Sequence, residues 1–185
     1  MPVTSLDAKT ALVVIDLQKG IAAMAGPAAI EKPVRNSRRL ADAFRRHSLP
    51  VVLVNVAGAA PGRTEQPRST EAPPSNWTEL LPDLGQQPED ICVTKKTWGA
   101  FASTDLEQQL SNRGVTQVVI TGVATSIGVE STARQAYEAG FNVTLAIDAM
   151  ADLRPEAHNS SISNIFPRLG ETGTTDEILA LLERS

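Results

Sequence analysis

A three-layer α/β/α sandwich around a mostly parallel sheet is the fold class predicted for this chain of 185 residues. Three observations predict it. Short apolar runs rich in valine and isoleucine recur along the chain, several apolar at nearly every position, as strands buried on both faces must be. Segments with helical periodicity fall between them. Strands that alternate with helices on this scale are joined as parallel neighbours by right-handed crossovers, which places helices on both faces of the sheet.

Taken in order, the strand candidates are Ala11–Asp16 (ALVVID), Pro50–Val56 (PVVLVNV), Ile91–Lys95 (ICVTK), Gln117–Gly122 (QVVITG) and Asn142–Asp148 (NVTLAID). Helices are expected over 31–47, 104–113, 127–139, 155–166 and 175–184. Thr104 with Glu107, and Thr174 with Glu177, have the spacing of a capping box at a helix start. Gly114 and Gly140 stand just past helix ends, where a left-handed cap is wanted. The segment 58–87 breaks the rhythm with Gly58, Pro61, Gly62, Pro67, Pro73, Pro74 and Pro82. A loop this long in a small domain is expected to be a lid or a subunit contact, and Trp77 gives it something to pack with. No internal repeat or boundary divides the chain, so residues 1–185 read as one domain.

Composition narrows the function classes. A net charge of −4 carries no electrostatic footprint for nucleic acid or an anionic membrane. Arginines 35, 38, 39, 45 and 46 interleave with Val34, Leu40, Ala41 and Phe44, the pattern of the wet side of an amphipathic helix. The single cysteine allows no intrachain disulfide and no cysteine-rich zinc site. No run is long and apolar enough for a membrane helix, and the start MPVTSLDAKT lacks the apolar core of a signal peptide. A cytoplasmic protein acting on a small molecule is expected.

Ligands of a parallel α/β sheet bind at the C-terminal edge of its strands. Asp16 ends the first strand, Lys95 ends the third, and the turn Gly122-Val-Ala-Thr-Ser-Ile-Gly128 leaves the fourth strand to open a helix. Each alone is weak, since an aspartate after a strand is commonly a turn residue and a lysine there is commonly the chain emerging into water. Together, with Trp98 and Phe101 as pocket walls, they point to a site. An Asp–Lys pair can hold or give a proton, because burial raises the carboxyl pKa while a nearby ammonium lowers it.

The segments VVIDLQ, TKKTWGAFASTDL and VVITGVATSIGVESTARQAYEAGFNVTLAIDAM resemble the isochorismatase-like hydrolase superfamily, in order and over nearly the whole chain. The resemblance implies a Rossmann-like fold, Asp16 as catalytic aspartate and Lys95 as catalytic lysine. It also implies a non-proline cis peptide at Val123–Ala124 that would aim amides of the turn into the site. Gln18, Trp98, Phe101 and Ser126 are then candidates for substrate contact, with backbone N–H groups around Val123, Ala124 and Gly128 lining the polar side. The family resemblance further implies a homo-oligomer, and no cofactor is expected. The metal site of nicotinamidases needs an aspartate and histidines after the second strand, where NVAGAAPG has none.

The chain departs from the family at one position. Gly128 stands where amide-hydrolysing members carry their nucleophilic cysteine, and Cys92 reads as a small core residue of the strand ICVTK. Isochorismatases resemble this arrangement: they cleave a vinyl ether by protonation and lack a cysteine there. The expected activity is cysteine-independent hydrolysis of a vinyl ether or a related C–O or C–N bond by Asp16 and Lys95. Two alternatives stay open. One is a silent family member serving as a ligand-binding protein or scaffold. The other is a serine hydrolase, in which Ser126 sits in a turn one residue short of a nucleophile elbow, with Asp148 and His158 following in triad order.

Overall fold

The structure, a computed structural model, describes residues 2–66 and 71–184. Pro67 of the proline-rich loop lies outside the described residues. The sheet has six strands in the order β3-β2-β1-β4-β5-β6, all parallel to their neighbours. These are β1 (Thr10–Ile15), β2 (Val51–Val56), β3 (Ile91–Lys95), β4 (Gln117–Val123), β5 (Asn142–Ala151) and β6 (Glu171–Gly173). The helices are α1 (Lys19–Ala25), α2 (Pro27–Arg46), α3 (Leu106–Ser111), α4 (Glu130–Glu138), α5 (Pro155–Ser160), α6 (Phe166–Leu169) and α7 (Thr175–Leu182). Among the described residues, no helix is long and apolar enough to cross a membrane.

Every residue of β1 and β4 is buried, as the continuous apolar runs require for the centre of a doubly covered sheet. The period of two then divides β1 between two cores. Ala11, Val13 and Ile15 join Leu106, Leu110, Ala133 and Ala136 on one face. Leu12 and Val14 join Leu40, Phe44, Ile178 and Leu182 on the other. The expected amphipathic helix is α2, which starts at Pro27, a residue suited to a first helical turn. Thr174 and Glu177 form the expected capping box on α7. Gly114 and Gly140 have φ of 68° and 88°, the left-handed caps foreseen.

Four details differ from expectation. Helix α1 and strand β6 carry no amphipathic or alternating signature, α1 burying only Gly20 and β6 spanning three residues. The Thr104–Glu107 box does not form: Asp105 is the N-cap, and Thr104 donates to the carbonyl of Ala100 instead. The helix expected over 127–139 starts with a π turn, Thr125–Val129, before α4. Cys92 is exposed rather than a core residue, because β3 is an edge strand whose alternate positions face out.

Beyond β1 the chain runs outward through β2 and β3, then returns to place β4 on the other side of β1. The ends of β1 and β4 therefore flank the point where the strand order reverses, the crevice such sheets offer to ligands. Ile15 lies opposite Gly122 there, so Asp16 emerges beside Val123. Gly122 has φ of 117°, and a Cβ at that position would stand 2.0 Å from the carbonyl oxygen of Ile15. Gly122→Ala is expected to cost about 2–4 kcal/mol of stability, from a forbidden φ and a backbone clash together. Urea unfolding of the variant checks it.

Candidate active site

Asp16 follows β1 with φ of 53°, in the left-handed region. An aspartate tolerates that conformation better than a branched residue, at a cost of about 1 kcal/mol or more. Two backbone bonds hold it: its N–H donates to the Val54 carbonyl at 2.9 Å, and its own carbonyl accepts from the Gln18 N–H at 2.8 Å. The turn directs the carboxylate across the end of β2 toward β3. There the Lys95 Nζ donates to Asp16 Oδ2 at 2.8 Å and to the Thr97 carbonyl at 3.2 Å. The lysine side chain is 1% exposed and the aspartate side chain 8%.

Burial pushes the Asp16 carboxyl up to about 6, with the Lys95 ammonium pulling in the opposite direction through its charge and its hydrogen bond. Desolvation wins because the pair sits under the sheet edge with little water to support a carboxylate. Oδ1 of Asp16 is buried and has no protein partner. One carboxyl oxygen is thus tied to the ammonium and the other is left for a proton or a ligand.

Both residues line a cavity of about 440 Å³ with Val123, Ala124, Gly128, Trp77 and Trp98. The Val123–Ala124 peptide is cis, as the resemblance implied. Gly128, on the π turn, faces the acid directly: a Cβ there would stand 3.0 Å from Asp16 Oδ2 and 3.0 Å from Ile15 Cγ2. Glycine at this position lets the turn close on the ion pair without displacing it.

Three of the anticipated contact residues do not line the cavity. Gln18 is fully buried and its amide is committed to the backbone: Oε1 accepts from Val56 N–H, and Nε2 donates to the carbonyls of Val56 and Trp77. It fastens the loop before β3 to the end of β2 and does not reach the cavity. Phe101 packs in the core against Phe141 and does not line the cavity. Ser126 points its hydroxyl at Asp152, which it meets at 2.7 Å. No serine triad forms: His158 Nδ1 pairs with Thr125 Oγ1 at 2.8 Å, and Asp148 holds Asn36 and Thr175. Trp98 does line the cavity.

Asp152 is the site residue that sequence reasoning missed. Its Oδ2 accepts from both the backbone N–H and the hydroxyl of Ser126, and its Oδ1 accepts from the Arg154 N–H. The strand was expected to end at Asp148, but β5 continues through an irregularity. Ile120 pairs with Leu145 and Gly122 with Met150, so β5 advances five positions while β4 advances two. The extra residues carry Ala151 and Asp152 to the cavity wall. The apolar stretch Ala149-Met150-Ala151 before a second aspartate was the only signal.

Removing the ammonium isolates the effect of burial. In Lys95→Met the Asp16 carboxyl is expected to titrate above 6, since the charge and hydrogen bond that lower it are gone. Carboxyl carbon NMR titration of the labelled variant checks the direction, and an Asp16 pKa at or below the wild-type value refutes the assignment of causes.

Residues 10–177 match the Isochorismatase domain family. The chain is 42% identical over 178 residues to the uncharacterized isochorismatase family protein YwoC of Bacillus subtilis, covering 92% of this chain and 93% of the relative. It is 44% identical over 185 residues to the uncharacterized isochorismatase family protein YecD of Escherichia coli O157:H7, covering 96% and 98%. An isochorismatase family protein structure from Burkholderia thailandensis superposes with a TM-score of 0.88 at 39% identity, over 97% of this chain and 98% of that one. With the switch-point crevice and its buried acid in place, these matches show that the chain belongs to the isochorismatase family of hydrolases.

Proposed function

We propose that the protein hydrolyses a small molecule at a vinyl ether, or a related C–O or C–N bond, by acid–base catalysis without a thiol. The observation that carries this reading is the Asp16–Lys95 pair, whose carboxyl is raised to about 6 while one of its oxygens has no protein partner. Catalytic acids work best when their pKa lies near the operating pH. Gly128 supports the reading, because a side chain at that position would crowd Oδ2 at 3.0 Å.

In this mechanism Asp16 carries the proton on Oδ1 and gives it to the terminal carbon of the vinyl group. Lys95 keeps Oδ2 oriented throughout, and once the proton has left it faces a full carboxylate, which its charge stabilises. The substrate becomes an oxocarbenium ion with the positive charge shared between carbon and oxygen. Water adds to that carbon and loses a proton to Asp16, and the hemiacetal or hemiketal collapses to a carbonyl compound and an alcohol. Nothing in the sequence of steps needs a nucleophile at position 128. The Lys95 ammonium has three protons and two named acceptors, Asp16 Oδ2 and the Thr97 carbonyl. Its third can meet the ether oxygen or the attacking water. The family resemblance also implies a homo-oligomer, for which the 58–87 loop and the C-terminal helices are candidate contacts.

Phenyl vinyl ether tests the chemistry, since its hydrolysis gives phenol and acetaldehyde and both are easily read. Wild type is expected to release them, and Asp16→Asn is expected to lose at least about a thousandfold, within the range a positioned acid contributes. The variant's circular dichroism should match wild type. For wild type, kcat/KM should fall as pH rises through about 6, since the protonated acid is the active form and is titrated away above that pH. Equal turnover by Asp16→Asn, or a rate that climbs with pH across this window, overturns the mechanism.

A further inference from the structure

We infer that the cavity selects a neutral or cationic substrate with an apolar or aromatic body and discriminates against carboxylate-bearing ones, with Asp152 as the discriminating residue. The inference rests on the reading above only in taking this cavity as the substrate site.

The lining carries the argument. Four of the five large hydrophobic side chains that stand exposed on the described surface are Met24, Trp98, Ile127 and Leu153, and all four line this one cavity. Trp77 joins them from the loop, held by its indole N–H to the Val56 carbonyl at 3.2 Å. Large apolar groups gathered around a concave site are stabilised by covering them with an apolar ligand body.

The charges point the same way. Among the described residues the cavity wall has three ionisable side chains: Asp16, Lys95 and Asp152. Lys95 is the one cation, and it is already paired with Asp16 at 2.8 Å. Asp152 has no lysine, arginine or histidine within salt-bridge distance among the described residues, and its partners are two N–H groups and a hydroxyl. Those bonds orient the carboxylate without cancelling its charge. With Asp16 ionised the wall therefore carries a net charge of one negative unit, set among mostly apolar lining residues. A ligand carboxylate would lose its hydration and find among the lining side chains a single cation, the Lys95 ammonium, whose charge is already matched by Asp16. A ligand N–H or O–H would instead find an acceptor in Asp152.

Both tryptophans of the chain line the cavity, so intrinsic fluorescence reports occupancy without any turnover. The probes are phenylacetamide and phenylacetate, near-identical in shape and differing by one charge, titrated at pH 7.5. Wild type is expected to bind the amide at least about tenfold more tightly than the carboxylate, the size of effect one nearby like charge can supply. In Asp152→Asn that ratio should shrink to within about threefold, since the charge is gone while size and shape are kept. The ratio is the readout because a merely structural loss at Asp152 would weaken both ligands alike. Phenylacetate binding as tightly as the amide to wild type, no fluorescence response to either, or an unchanged ratio in Asp152→Asn overturns the inference. The outcome is separable from the catalytic reading. A preserved ratio with no Asp16-dependent hydrolysis of phenyl vinyl ether sinks the mechanism alone, and an inverted ratio with hydrolysis intact sinks the substrate class alone.

Discussion

The rest of the site is arranged around a buried ion pair spanning two strands. Asp16 leaves β1, Lys95 ends β3, and the two side chains meet above the end of β2, nearly out of contact with water. Placing two charges there costs several kcal/mol per ion in desolvation, which their attraction offsets only with good geometry. The geometry is supplied by the backbone: a left-handed turn at Asp16 pinned by Val54 and Gln18, and a second acceptor for Lys95 at Thr97. The offset is incomplete, as the Asp16 pKa near 6 records. A carboxyl raised from 3.8 to about 6 opposes its own ionisation by about 3 kcal/mol. The sign follows from linkage. The folded state holds this proton more tightly than the unfolded chain, so the associated stability is complete below 3.8 and is lost as pH rises through about 6. The fold is least comfortable with Asp16 where the group is ionised, a familiar signature of a residue kept for chemistry.

Several features without chemistry of their own make sense as supports for that pair. Gly122 allows β4 to press against the end of β1, where a Cβ would strike the Ile15 backbone. Gly128 then lets the π turn approach Asp16 from the other side. Gln18, fully buried, cross-links the chain after β1 to the end of β2 and to the backbone of Trp77. The long proline-rich segment is thereby tied at its far end: Lys19 and Gly20 donate to the carbonyls of Glu79 and Trp77, and Leu81 donates to Leu17. Trp77 is delivered to the cavity wall by backbone bonds to the very segment that carries the acid.

How much of this was legible in the sequence depends on how local the signal is. Strands buried on both faces declare themselves through continuous apolar runs, and ALVVID and QVVITG did so because β1 and β4 occupy the middle of the sheet. ICVTK has similar composition but lies at the edge, and position in the sheet is not written in five residues, so Cys92 was misplaced in the core. Helix α1 and strand β6 are held by their surroundings rather than by any pattern of their own. Asp16 and Lys95 were legible because each terminates a readable strand. Gln18 and Phe101 sat close to them in sequence and were assigned to the cavity by that proximity, yet one turn after β1 and one after β3 aim them into the framework.

Asp152 shows why the remaining part of the site was hidden. Its place depends on a slip of register between β4 and β5, a property of two strands and not of either alone. Without the slip, β5 would be read as ending near Asp148, and that residue does face polar partners, Asn36 and Thr175, and does not line the cavity. With it, the chain runs on to deliver a second carboxylate to the cavity wall, oriented by Ser126 and the Arg154 backbone. The same irregularity that obscured the residue thus gives the cavity its asymmetry. One carboxylate is neutralised by a buried lysine and held ready for a proton, and the other is left charged among apolar side chains where only a hydrogen-bond donor or a cation meets it favourably.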